Sequence, residues 1–218
     1  MAETLPITDN TRFSRLRKRA SYDKAVINQI LDAGILCHVG FEDNGHPVVL
    51  PTAYVRSQQQ LIIHGAANGR FFKCLAEGAL CCVTVSHLDG IVLARSAFHH
   101  SVNYRCVMLF GRFKALTELN AKRIALDHLM EGCSPGRIDD NIRPASEKEL
   151  NATAVLMMDI TEASAKVRQG PPNDDEKDMD LPVWAGVVQR MPSQYQFISA
   201  PDGLASIAQP DYLSKIKF

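Results

Sequence analysis

The chain has 218 residues, 46% of them hydrophobic, and its 24 Lys plus Arg balance 24 Asp plus Glu for a formal net charge of zero. That length supports one well-buried core with appendages, and the charge balance excludes the electrostatic footprint of a nucleic-acid or anionic-membrane binder. No stretch approaches the roughly 20 apolar residues of a membrane span, and no apolar segment of a secretory signal follows the charged N-terminus, so a cytoplasmic protein is expected.

Residues 1–20 are polar and basic and read as an arm, with another subunit as its candidate partner; residues 21–190 read as the folded domain and 191–218 as a tail. Ser21 can cap a helix carrying Ala25, Val26, Ile27, Ile30 and Leu31, with Gly34 where a left-handed C-terminal residue belongs. Residues 35–41 then read as a strand, Asp43-Asn44-Gly45 as a hairpin turn, 47–55 as the returning strand and 58–60 as the next turn. An apolar strand from Leu61 leads into a helix that Asn68 can cap and Gly78 can end. Residues 80–85 are apolar on both faces, which predicts a covered strand. Asp89-Gly90 reads as another turn, and residues 104–115 as a long strand with a bulge or bend at Gly111. Thr117 caps a helix with Ala121, Ile124, Ala125, His128 and Leu129 on one face, and 132–144 is a loop. Ser146 and Glu149 form a capping box before a buried strand at 154–160. Residues 169–182 form an acidic, proline-rich exposed loop, of a length uncommon unless functional, and 183–188 one more strand. The sum is a mainly β chain with helical additions, an antiparallel barrel.

The six cysteines form no CxxC pair, so reduced thiols acting as small hydrophobes are expected, and no metal site. His128 reads as structural, and His38 and His46 as satisfied or solvated. His87, Asp89, His99 and His100 have no ligand spacing that defines a metal. A polar run at Arg95-Ser96 and His99 to Arg105 fits the edge of a polar ligand or a hydrogen-bonded loop. Lys166 and Arg168 fall on one face of an extended segment, where solvation is the plain alternative.

Residues 61–75, LIIHGAANGRFFKCL, combine a strand, a small-residue turn and a helix start. Such a helix leaves its first N–H groups free for an anion, and Arg70 and Lys73 add charge one turn apart. The spacing is neither the GxxxxGK[ST] loop nor the GxGxxG fingerprint, and a capped surface helix with two solvated cations has the same pattern. His64 ends the entering strand and would face the ring system that the phosphate carries.

HGAANGRFFKCL, HSVNYRCVMLFG and KVRQGPP...LPVWAGVV, in this order and spacing, resemble the flavin-nucleotide-binding proteins related to pyridoxamine phosphate oxidase. The resemblance covers about residues 15–188 and includes nitroimidazole-resistance relatives, whose histidine near the flavin matches His64. It implies an FMN-binding split β-barrel and a homodimer with FMN at the subunit interface. The FMN phosphate would lie at Arg70 and Lys73, helped by the N–H groups of Asn68 and Gly69. Leu50, Pro51, Thr52 and Ala53 with His64, Gly65 and Ala66 would line the isoalloxazine. Ser101, Asn103 and Arg105 would come from a neighbouring strand or the other subunit, and Trp184 would close the ring pocket. Cys106 and Gln189 stand where relatives often have serine and proline, and the substrate signatures of pyridoxamine phosphate oxidase itself are missing after Met191, so vitamin B6 synthesis is not expected.

The leading functional expectation is an FMN-dependent oxidoreductase acting on a small-molecule substrate, passing electrons from reduced nicotinamide or another donor to a small organic acceptor. His64 is the catalytic candidate, positioning that substrate or giving it a proton, with a structural hydrogen bond as the alternative. A non-catalytic FMN-storing or sensing module is the second expectation. The third is a haem-binding split barrel, since such barrels also bind haem, with His99 or His100 as axial ligand.

Overall fold

The structure, a computed structural model, describes residues 3–191 and residue 211. Among them are ten strands, β1 (Ala20–Ser21), β2 (Leu36–Asp43), β3 (His46–Ser57), β4 (Gln60–Ala66), β5 (Leu80–Leu93), β6 (Ser101–Arg112), β7 (Lys114–Ala115), β8 (Thr153–Asp159), β9 (Ala163–Arg168) and β10 (Gly186–Gln189). Four α-helices join them, α1 (Lys24–Asp32), α2 (Arg70–Ala76), α3 (Leu119–Cys133) and α4 (Glu147–Ala152). Every strand pair is antiparallel, in the order β1-β9-β6-β5-β2-β3-β4-β8-β7 with β10 added to β5.

Local chemistry explains the tight hairpins. Asn44 and Gly45 both take positive φ, 52° and 79°, the twist that a two-residue hairpin between β2 and β3 requires. Past that turn β3 serves two sheets in succession. Residues 46–53 pair with β2, whereas Tyr54 to Ser57 pair with β4 on the opposite edge. The sheet therefore divides along β3 and its two wings close over one core, as a split barrel does. Leu61 and Ile63 of β4, Val83 and Val85 of β5, and Val107 and Leu109 of β6 fill that core with Ile27, Ile30 and Leu31 of α1. Each such side chain contributes roughly 1.5–3 kcal/mol by leaving water. Ile62 and Val155 face the other way and meet Ala125 and Leu129 of α3 in a smaller cluster.

Several local expectations give way to tertiary contacts. Asp23, not Ser21, caps α1 by accepting from the Ala25 N–H at 2.8 Å. Gly34 is not left-handed; a Cβ there would lie 2.7 Å from the His87 ring, whose Nε2 bonds the Ile30 carbonyl at 2.9 Å. Gly69, not Asn68, is the N-cap of α2, without a side-chain bond, while Gly78 ends that helix at φ 87° as expected. Asp89-Gly90 is no turn. It lies inside the 14-residue β5 at a register shift, where β10 crosses so closely that a Gly90 Cβ would sit 2.9 Å from the Val188 carbonyl. Gly111 pairs regularly with Cys81 and makes room for the Met158 sulfur rather than for a bulge. Glu118 stands at the N-cap of α3 in place of Thr117, and Ile124 on the expected apolar face is 51% exposed. The capping box of Ser146 and Glu149 is present. Of the expected arm, Leu5 reaches the core and its N–H bonds the Tyr22 carbonyl at 2.8 Å. The expected tail lies outside the described residues except for Met191 and Asp211.

Gly65 seats α2 on β4. A Cβ there would lie 2.0 Å from the Phe72 ring, which packs edge-on against Phe71 at 4.8 Å, and Phe71 in turn meets Phe41 of β2 at 5.7 Å. Gly65→Ala is therefore expected to destabilise the chain by about 1–3 kcal/mol through overpacking, measured as a lower urea midpoint at unchanged m-value.

Candidate functional site

The split along β3 leaves polar backbone without a partner. Residues 46–53 bond β2 on one edge only, so the carbonyls of Pro47, Val49, Pro51 and Ala53 lie on the other edge towards the gap where β4 has turned away, and only Val49 and Ala53 add an N–H there. This open edge carries Leu50, Pro51, Thr52 and Ala53, with Leu50 41% exposed. Across the gap the end of β4 presents His64, Gly65 and Ala66, and beyond it Gly69 bonds back to the Ala66 carbonyl at 3.0 Å in a tight turn. Arg70 and the exposed Lys73 follow in α2. Helix α2 has seven residues, too short for a strong dipole, so any attraction for an anion at this end would rest on the two cations rather than on the helix. Arg70 does not hang free: its Nε and Nη2 both meet Asp43 Oδ2 at the end of β2.

The second predicted group stands elsewhere. Ser101, Asn103 and Arg105 lie on β6, separated from β3 by β5 and β2, roughly 14 Å along the sheet. Arg105 is held by Asp89 through two bonds of 2.9 and 2.8 Å, and that guanidinium keeps the Asp89 carboxyl below its ordinary range. Asn103 donates to the Gly170 carbonyl at 3.1 Å and accepts from Arg168, which is 9% exposed and so is not a solvated cation. Asn103, Arg105 and Asp89 line an open polar cavity of about 630 Å³ with Gln169, Gly170 and Arg190. Trp184 is 65% exposed beside that cavity, its ring over Gly186, and lies on the β10 side rather than over the β3 edge. Within one chain, then, neighbouring strands do not unite the two groups.

His64 has a second neighbourhood that the sequence did not disclose. On β4 it shares the face of Ile62, so its imidazole turns to α3 and lines a cavity of about 490 Å³ with Leu126, Leu129, Met130, Cys133, Ile138, Ile142 and Leu150. Partial burial there pushes its pKa down, which keeps the ring neutral with one nitrogen lone pair available. Arg123 and Arg143 stand in the same wall. Arg123 donates to the Ala145 carbonyl at 2.9 Å, and Arg143 grips Glu149 with two bonds, holding that carboxyl down to about 2. The wall between α3 and α4 is thus tied to the capping box of α4. Arg123 and Arg143 carry no signal in the sequence, and Asp43 reads there only as a turn residue, an acid directly before Asn-Gly, not as a partner of Arg70.

Other candidates have structural occupations. His99 Nε2 lies 3.4 Å from Asp175, and His100 Nδ1 lies 2.9 Å from the Ser96 carbonyl. Asp174 takes both the Arg95 N–H, at 2.8 Å, and its guanidinium, at 2.9 Å, so this part of the polar run is a hydrogen-bonded loop. His128 meets the Ser57 hydroxyl at 3.1 Å. Burial pushes the Cys37 and Cys81 thiols up to about 12, and all six cysteines are free. Among the described residues no three His, Cys, Asp or Glu converge on a metal position, and no helix is long and apolar enough to cross a membrane.

This divided antiparallel barrel is the fold that the motifs implied, and the family profile described as "Pyridoxamine 5'-phosphate oxidase" matches residues 23–167. The chain belongs to that family, whose members share the split barrel. A flavocytochrome from Azotobacter vinelandii superposes with a TM-score of 0.90 at 40% identity, over 96% of this chain and 97% of the other. A FAD and haem binding protein from Mycobacterium smegmatis gives a TM-score of 0.87 at 35% identity, over 91% and 97%. A protein assigned to 5-nitroimidazole antibiotic resistance in Bacteroides thetaiotaomicron shares the fold, with a TM-score of 0.58 at 23% identity over 68% and 86%. No curated protein matches the chain.

Proposed function

We propose that this chain is a flavin-binding redox protein that holds FMN along the open edge of β3, the phosphate at Arg70 and Lys73. The observation that carries this reading is the edge of residues 46–53 left unpaired on the side away from β2, near whose end Arg70 is held by Asp43, the partner of His46. A flavin ring edge carries both hydrogen-bond donors and acceptors, and this strand edge offers carbonyl acceptors with N–H donors at Val49 and Ala53, Pro47 and Pro51 having none. The flavin, when bound, supplies the hydride and electron chemistry; the chain orients it and governs what reaches it. The flavocytochrome and the FAD and haem binding protein, similar over nearly the whole chain, support a bound flavin without selecting FMN over FAD. Arg70→Ala is expected to weaken FMN binding about tenfold or more, the loss of a charge-assisted contact, and to leave riboflavin binding nearly unchanged in fluorescence titration.

A second copy completes the site in this reading. Leu36, Val49 and Leu80, on the outer face of β2, β3 and β5, are 54%, 63% and 58% exposed, an apolar surface suited to another chain. That copy would bring its own Asn103, Arg105 and Trp184 towards the β3 edge, which a single chain does not do. Light scattering is expected to give twice the 24.1 kDa chain mass, and a monomer that binds FMN tightly would exclude the shared site.

A second reading, favoured by the cavity against His64, adds haem. The lining suits that group in its apolar side chains and its neutral imidazole, with Arg123 and Arg143, already bonded to the Ala145 carbonyl and to Glu149, at its wall, whereas His99 and His100 line none of the cavities described. Haem there would supply one-electron chemistry, and His64 would hold its iron rather than act as a catalytic proton donor. Haemin titration is expected to raise a Soret band that His64→Ala weakens by far more than it weakens FMN binding. Because ligation needs the unprotonated ring, and that ring's pKa is already depressed, the band should persist at pH 6.5 and fade only on further acidification.

A further inference from the structure

Asp43 is the last residue of β2, directly before the Asn44-Gly45 turn, and its side chain is 9% exposed. A carboxylate so buried needs partners, and it has two: Asn44 Nδ2 donates to Oδ1 at 2.9 Å, and Arg70 meets Oδ2 through Nε and Nη2. Arg70 itself is 74% exposed, so this contact fixes the inner edge of its guanidinium and leaves the outer edge to solvent. An apolar contact lies beside the pair. Phe71, next to Arg70, packs on Phe41, which shares the face of Asp43 two residues earlier on β2. Helix α2 is therefore docked on the end of β2 by one apolar and one ionic contact from consecutive residues.

An exposed arginine otherwise samples many rotamers, and ordering it on a ligand has an entropic cost. Asp43 removes that freedom in advance. It also places a negative charge behind the guanidinium, farther from anything on the outer edge than the guanidinium itself, so the nearer attraction prevails over the repulsion. Building on the flavin reading above, we propose that Asp43 is a positioning residue that presents the outer edge of Arg70 to the terminal phosphate and so selects phosphorylated flavin over riboflavin.

The test measures dissociation constants of FMN and riboflavin for the full-length chain stripped of flavin, in wild type, Asp43→Asn, Asp43→Glu, Arg70→Ala and the Asp43→Asn, Arg70→Ala double variant, with thermal melting alongside. Asp43→Asn is expected to lower FMN affinity about fivefold to tenfold and riboflavin affinity by less than about twofold, and to add nothing in the Arg70→Ala background. Asp43→Glu, which keeps the charge, is expected to recover part of the preference. An unchanged FMN to riboflavin ratio in Asp43→Asn, whether or not its melting temperature falls, overturns the positioning role and leaves a plain ion pair. Tighter FMN binding by Asp43→Asn overturns it as well, because Asp43 then competes with the phosphate. If Arg70→Ala itself leaves the ratio unchanged, the phosphate is elsewhere and both readings fall together.

Discussion

Strand β3 bonds β2 along its first eight residues and β4 along its last four, never both over the same stretch. Buried backbone groups must be paired, and a strand inside a closed barrel meets that demand on both edges. Here the demand is met in two separate halves. The two wings of the sheet can then wrap one core while a row of backbone donors and acceptors stays available at the surface. Everything proposed for the site depends on this division: the phosphate-end cations sit where β4 and α2 leave the strand, and the polar groups of β6 are carried away on the far wing.

The same division explains why the site looks incomplete in one chain. Asn103 and Arg105 are already engaged, by Gly170 and Arg168 and by Asp89, in a polar cavity of their own. Arg70 is likewise engaged by Asp43. Pre-formed pairs of this kind hold their side chains ready at low entropic cost, and in the proposed two-chain assembly the partner would decide what they face.

Much of the fold was legible in the sequence because its determinants are local. Asn44-Gly45, Gly78 and the pair Ser146 and Glu149 act through their own backbone, and each behaves as its chemistry dictates. Three helix caps were misplaced by one or two residues, at Asp23, Gly69 and Glu118, and the larger misreadings are non-local. Asp89-Gly90 has the composition of a turn, yet Arg105 and β10 hold it inside β5; β9 was read only as a short extended segment, since Ala163 and Ala165 are buried without the bulky residues that mark a strand. For the site, the charges at Arg70 and Lys73 and the strand before them were readable. The cavity against His64 was not, because its walls come from α3, the following loop and α4, and no sequence period links those to a histidine on β4.

The meeting of Gly34 with His87 ties two distant positions in the chain into one choice. His87 donates from Nε2 to the Ile30 carbonyl while the Tyr54 hydroxyl donates to the neighbouring Leu31 carbonyl, so the last turn of α1 is capped by the sheet beneath it. The imidazole occupies the volume that any side chain at position 34 would enter. A lineage that replaces Gly34 must therefore shrink or reorient the residue at 87, giving up the Ile30 cap, and divergence at one position is permitted only through change at the other.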